Sequence, residues 1–176
     1  MKQNFLLKGS FLALSLCFAV GAQAGITGQV EVKLNISSGC EVGGANVSGN
    51  TNQFGELDFG KQAPTWSNVL TADVKGAGKG GNLSVKCDDG VGGFAVAING
   101  GERGDRTVKE SGGDTVAYNI YQNAARSTEY AINAPIDFVY KGAEVAIPIY
   151  GAIAPNTAKG KTAGEYTDVL LVSVTF

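Results

Sequence analysis

Residues 26–36 read ITGQVEVKLNI, and how this stretch pairs decides the fold. Ile26, Gly28, Val30, Val32, Leu34 and Ile36 alternate with Thr27, Gln29, Glu31, Lys33 and Asn35. Side chains on a strand point to opposite faces with period 2, so the pattern predicts one oily and one wet face. Extended, the stretch would reach roughly 37 Å, long for a strand. Gly28 interrupts the oily face and would allow another backbone or a bulky side chain to approach closely. Two readings follow. The stretch is the first strand of a β-sandwich, paired within its own chain, or it is a strand made for insertion into something else. Alternation alone favours the first, because most such strands pair within their own chain.

Upstream, residues 1–24 read as a secretory signal peptide. Lys2 and Lys8 give a positive start, residues 11–20 an apolar run, and Ala22-Gln23-Ala24 a small-x-small cleavage site. The run is shorter than a helix needs to cross a bilayer of ~30 Å. A lipoprotein site at Cys17 is set aside because Leu16 fills the preceding position, where a small residue is expected. Cleavage after Ala24 would leave Gly25 as the first residue, with the alternating strand at the new N-terminus.

The remaining 152 of 176 residues suit one domain and can bury a core. Loss of Lys2 and Lys8 leaves 12 basic residues against 16 acidic ones, a net charge of −4. No basic stripe suggests nucleic acid. Cys40 and Cys87 would be the only cysteines left, and a single pair in an oxidising compartment predicts a disulfide. Closing the loop from Cys40 to Cys87 is worth about 4 kcal/mol in the chain-entropy model. Histidine is absent. That removes Ser-His-Asp and Cys-His catalysis and histidine-ligated zinc, and no convergent acid, base or nucleophile set replaces them. The chain is expected not to be an enzyme, and no cofactor or metal site is predicted.

Downstream the pattern predicts many short strands and no helix. Residues 54–60, 70–74, 83–87, 94–98, 106–109, 116–121, 131–140, 146–153 and 166–176 read as strands. Asn99-Gly100-Gly101 carries a hairpin signal, and Pro135 marks an edge strand. With 26 glycines and frequent turns, an all-β sandwich is the expected class. The last stretch stops at Phe176, still inside an apolar strand, with Leu170, Val172, Val174 and Phe176 on one face. An open apolar edge invites association.

Several short motifs have plainer explanations. Residues 76–80 look faintly like a phosphate loop but lack the hydroxyl residue after Lys79. Arg103-Gly104-Asp105 is a tripeptide that integrins read, in a place where solvated polar residues are expected anyway. Asn35, Asn46 and Asn82 begin glycosylation patterns. Asp88 and Asp89 lack the oxygen ladder of a calcium loop. Tyr118 and Tyr121 could hold a sugar, but in a glycine-rich sandwich they pack a core or rim.

Four segments carry a resemblance: Gly55-Glu56-Leu57-Asp58-Phe59-Gly60, residues 118–126 (YNIYQNAAR), Ile147-Pro148-Ile149-Tyr150-Gly151 and residues 164–170 (GEYTDVL). Together, and in this order, they resemble the spore coat protein U-like domain. More narrowly, the chain is similar to the major pilins of archaic, Csu-type chaperone–usher pili. Tyr130 departs from the pattern, where many relatives carry tryptophan. The resemblance implies an incomplete immunoglobulin-like β-sandwich, completed by donor-strand complementation from a neighbouring subunit. Residues 25–38 would be the donor strand, with Ile26, Val30, Val32 and Leu34 as plugs and Gly28 at a shallow pocket. Residues 39–176 would be the pilin domain, with Leu170, Val172, Val174 and Phe176 at the acceptor edge. Four aliphatic plugs would bring roughly 6–12 kcal/mol gross. The implied partners are a periplasmic chaperone, an outer-membrane usher, and identical or related pilins in a head-to-tail polymer. The implied site is an extracellular pilus supporting surface attachment and biofilm formation. The alternative is a self-complemented monomeric secreted β-sandwich that binds a ligand.

Overall fold

The computed structural model describes residue 29 and residues 31–34, 39–43, 52–76 and 81–176. By internal contacts the chain divides into Met1–Asn35 and Ile36–Phe176. The expected signal peptide, and Ile26, Gly28, Val30 and Ile36, lie outside the described residues.

In the first unit, residues 31–34 form no hydrogen-bonded ladder. Lys33 pairs with Glu31 at 2.9 Å. Val32 and Leu34, both large and aliphatic, are 88% and 83% exposed.

The second unit is all-β, with no α-helix among its described residues. Thirteen short strands follow one another: β1 (Cys40–Val42), β2 (Gly55–Glu56), β3 (Leu70–Asp73), β4 (Lys75–Gly76), β5 (Leu83–Cys87), β6 (Gly93–Ile98), β7 (Thr107–Lys109), β8 (Thr115–Ala117), β9 (Asn119–Tyr121), β10 (Ile136–Val139), β11 (Val145–Ile147), β12 (Tyr150–Ile153) and β13 (Val172–Thr175). They form three three-stranded sheets, ordered β1-β5-β11, β10-β6-β13 and β3-β12-β9, and two ribbons, β2-β4 and β7-β8. All the pairings are antiparallel.

Alternation builds the centre. On β6, Phe94, Val96 and Ile98 point inward and are buried, while Ala95 and Ala97 face out. Leu83, Val85 and Cys87 do the same on β5, and Ile120, Ile147 and Ile153 come from β9, β11 and β12. The three sheets therefore fill one common core. Gly151 lets the β2 arm close over it: a Cβ there would stand 2.7 Å from both Leu57 and Phe59. Fully burying one such aliphatic or aromatic side chain is worth about 1.5–3 kcal/mol, so strands whose inward positions are all filled carry the stability.

Three expectations need correction. Residues 146–153 form two strands in different sheets. Pro148 has no N–H to continue a ladder, and the chain changes sheet there. Asn99-Gly100-Gly101 is not a hairpin, because β6 pairs with β10 and β13. Instead Asn99 Oδ1 accepts the Gly101 N–H at 3.0 Å, a side-chain turn that lets the chain leave the sheet. Residues 116–121 break at Tyr118: its N–H donates to the Arg106 carbonyl at 2.8 Å, the end of the β7–β8 ribbon, and from Asn119 the chain pairs with β12 instead.

Candidate acceptor edge

The strand β13 is the best-defined open edge. Its register against β6 sets Val172 opposite Ile98, Ser173 opposite Ala97, Val174 opposite Val96 and Thr175 opposite Ala95. One residue earlier, the Asn99 N–H donates to the Leu171 carbonyl at 3.0 Å, and the Leu171 N–H donates to Asn99 Oδ1 at 2.8 Å. Residues 99 and 171 thus form a hydrogen-bonded pair. Such pairs alternate along an antiparallel ladder, so Ser173 and Thr175 turn their backbone groups toward β6. Val172 and Val174 turn theirs the other way. Among the described residues no strand pairs with that side.

The side chains agree with the backbone. Leu170, Val172 and Val174 pack against the core yet stay half-buried. Val169, Leu171 and Phe176 are 63%, 58% and 61% exposed. Phe176 is therefore not sealed into the core face with the other three members of the expected edge.

A second edge, β1, which has no further partner strand among the described residues, was not foreseen. Asp88 N–H donates to the Gly39 carbonyl (2.9 Å), and Gly43 N–H to the Ser84 carbonyl (2.7 Å). Between those pairs, Cys40 and Val42 must turn their backbone groups away from β5. Both side chains are half-buried against the core. The two open edges come together at one point, where a Cβ on Gly39 would lie 3.9 Å from Phe176 Cε2. The signal for this edge was the alternation of Cys40, Glu41 and Val42, too short to read as a strand beside a cysteine.

The expected disulfide is present. Cys40 and Cys87 are bonded and sit directly opposite each other in the β1–β5 register. Theirs is a non-hydrogen-bonded position, where facing residues come closest.

Polar groups at the entrance to β13 are fully engaged. The Asp168 side chain is 3% exposed. It accepts from the Tyr118 hydroxyl at 2.7 Å and the Glu102 N–H at 2.9 Å, and pairs with Arg103 at 3.1 Å. Burial, then the Asp168 carboxylate, push the Tyr118 phenol above its ordinary range. Arg103 also donates to the carbonyls of Thr107 and Thr167, while Asp105 accepts from Thr107 Oγ1 at 2.7 Å. The Arg103 charge is thus spent inside the domain, while the Asp105 carboxylate stays exposed and accepts one neutral hydroxyl. Nearby Arg106 is 1% exposed and donates to the Tyr130 carbonyl. Burial lowers its pKa, opposed by Glu129 at 3.7 Å. Tyr130 is itself buried, which pushes its phenol up to about 12, and its hydroxyl donates to the Pro148 carbonyl at 3.0 Å. Among the described residues no group of three or more acidic or cysteine side chains could hold a metal ion.

A model of the Spore Coat Protein U domain family matches residues 26–173. The chain belongs to that family. No curated protein matches it. Among solved structures, it is similar to one described as the CsuC-CsuE chaperone–tip adhesion subunit pre-assembly complex from archaic chaperone–usher Csu pili of Acinetobacter baumannii. Identity there is 15% and the TM-score 0.46, over 80% of this chain and 40% of the other. A second, described as a chaperone–tip adhesin complex of CFA/I fimbriae biogenesis, shares 10% identity at a TM-score of 0.39, over 77% of this chain and 42% of the other. The chain spans less than half the length of either.

Proposed function

We propose that this protein is a structural subunit of a chaperone–usher pilus, polymerising head to tail by donor-strand exchange. The observation that carries the reading is β13: a strand that, among the described residues, is paired on one side only, with its core-facing valines half-buried. A complementary strand laid along Val172 and Val174 would satisfy their backbone groups and bury their side chains. Residues 26–34 have the right alternation, and their described aliphatic members, Val32 and Leu34, are exposed. Membership of the Spore Coat Protein U domain family supports the same reading. In this scheme the domain is an incomplete immunoglobulin-like sandwich. A periplasmic chaperone occupies the open edge first, and an outer-membrane usher exchanges it for residues 25–38 of the next subunit. The product is an extracellular filament serving surface attachment and biofilm formation. Its role is mechanical; no reaction is assigned to it. Donor and acceptor are different surfaces, so the contact propagates instead of closing into a dimer.

The test is to make Val174→Asp and Val32→Asp separately and image cells by negative-stain microscopy. Both variants should lose filaments, while Glu31→Ala keeps them, because the outward face of the donor bears no plug. Normal filaments from Val174→Asp would overturn the reading. So would a wild-type protein that stays monomeric and unfolds when residues 25–34 are removed, the behaviour of a self-complemented monomer.

A further inference from the structure

The strand β13 faces a problem that β6 does not. Register in a sheet is held by side chains that must stay on the buried face, and a slip of one residue moves them all to the other. On β6 the buried Phe94, Val96 and Ile98 prevent this. β13 has four residues, one partner strand among the described residues and two half-buried valines. Its packing alone gives little to hold the register.

Its entrance carries the missing constraint. Asn99 Oδ1 accepts two N–H groups, from Leu171 at 2.8 Å and from Gly101 at 3.0 Å. This single amide ties the start of β13 to the end of β6. Asp168 collects the Tyr118 hydroxyl, the Glu102 N–H and the Arg103 guanidinium. Gly101 is the only residue type that fits beneath it, since a Cβ there would stand 1.9 Å from Asp168 Oδ2. Thr167 adds two backbone bonds to Lys109, at 3.0 and 3.1 Å. Hydrogen bonds of this kind oppose sliding, because a shift of one residue would carry each donor roughly 3 Å from its acceptor, beyond hydrogen-bond reach.

We infer that Asn99 and Asp168 are positioning residues for the acceptor edge, fixing the register of β13 on β6 while its other side is empty. This rests on the acceptor-edge reading above. The clamp matters to a subunit waiting for a donor strand, and becomes redundant once a second strand is in place.

The experiment is NMR-detected amide exchange on the full chain, with and without a synthetic peptide of residues 26–36. The reporters are the Ser173 and Thr175 amides, which bond to β6. Without peptide, Asn99→Ala should speed their exchange by about tenfold while β5 and β6 keep their rates. Asn99→Asp should stay near wild type, because its Oδ1 accepts the same two N–H groups. Asp168→Asn, which drops the charge paired with Arg103, should give the same local acceleration as Asn99→Ala. Peptide should abolish the difference between Asn99→Ala and wild type. Wild-type rates in Asn99→Ala, or acceleration of β5, β6 and β13 alike, would overturn the inference. If the peptide fails to protect Ser173 and Thr175 in the wild type, the donor-strand reading falls, and the peptide-free comparison still decides the clamp.

Discussion

β6 and β13 lie side by side in one sheet and share an alternating, valine-bearing pattern, yet they end in different states. On β6, Phe94, Val96 and Ile98 are 4%, 0% and 1% exposed. On β13, Val172 and Val174 are only half-buried. Residue type does not separate them. β6 has a strand on each side, whereas β13 has β6 and nothing else among the described residues. Burial in a sheet is conferred by neighbours, and an oily strand with one neighbour is unfinished.

The largest effect should come from putting the same charge into each strand. Val96→Asp would bury a carboxylate with no partner at a fully enclosed site. That penalty rivals the whole stability of a domain, about 5–15 kcal/mol, so far-UV circular dichroism should find no folded protein. Val174→Asp should leave a folded subunit whose melting temperature moves by only a few degrees, because water reaches its side chain. Equal damage from both would erase the distinction between finished and unfinished strands.

Next comes the other open edge. Replacing Cys40 and Cys87 by serine together should cost about 2–5 kcal/mol in denaturant unfolding. Free thiols in natively purified wild-type protein, counted by mass spectrometry after alkylation, would remove the basis of that expectation. Truncation gives a finer measure. Ile98→Ala should cost about 2–5 kcal/mol, while Val172→Ala, across the ladder from it, should cost about 1 kcal/mol or less. Similar costs would mean that the β13 face is as well packed as the β6 face.

The smallest expected effect is one of pH, at Asp114 in the turn between β7 and β8, which holds the segment at Lys161 and Thr162. The Thr162 N–H and then the Lys161 ammonium hold the Asp114 carboxyl down to about 2, below its ordinary 3.8. The folded state therefore favours the charged form. Its contribution is complete above the ordinary value and is lost as pH falls through about 2. Asp114→Asn should flatten the melting temperature against pH across that interval. An unchanged slope would show that Asp114 is not the group responsible.

How much could be read from the chain follows from the same contrast. Leu83–Cys87 and Gly93–Ile98 were legible because alternation and full burial go together there. The edge character of Ile136–Val139 was legible from Pro135. The C-terminal stretch was over-read: only Val172–Thr175 is a ladder strand, because the residues before it spend their backbone and side chains on loops. Asn99 misled, since the residue that favours a hairpin turn also bonds readily to nearby N–H groups. The Arg106 and Asp168 networks were not legible at all. They join residues far apart in sequence, and Arg106 sits at a φ of 55°, which no pattern announces. Phe176 shared a face with Val172 and Val174 by count, but beyond the last ladder residue nothing enforces that count.

The position of the disulfide has a consequence in terms of force. In a filament built as proposed, tension reaches each domain through the chain that enters at Gly39. An edge strand loaded from its end would open like a zipper, one ladder bond at a time. Cys40 is the first strand residue, and it is bonded to Cys87 on the central strand of its sheet. A pull arriving there is handed at once to β5, which is clasped by β1 and β11, and β1 beyond Cys40 carries no load. The link carries the load past the β1 ladder to a strand held on both sides, and single-molecule pulling should show the rupture force dropping when the disulfide is reduced.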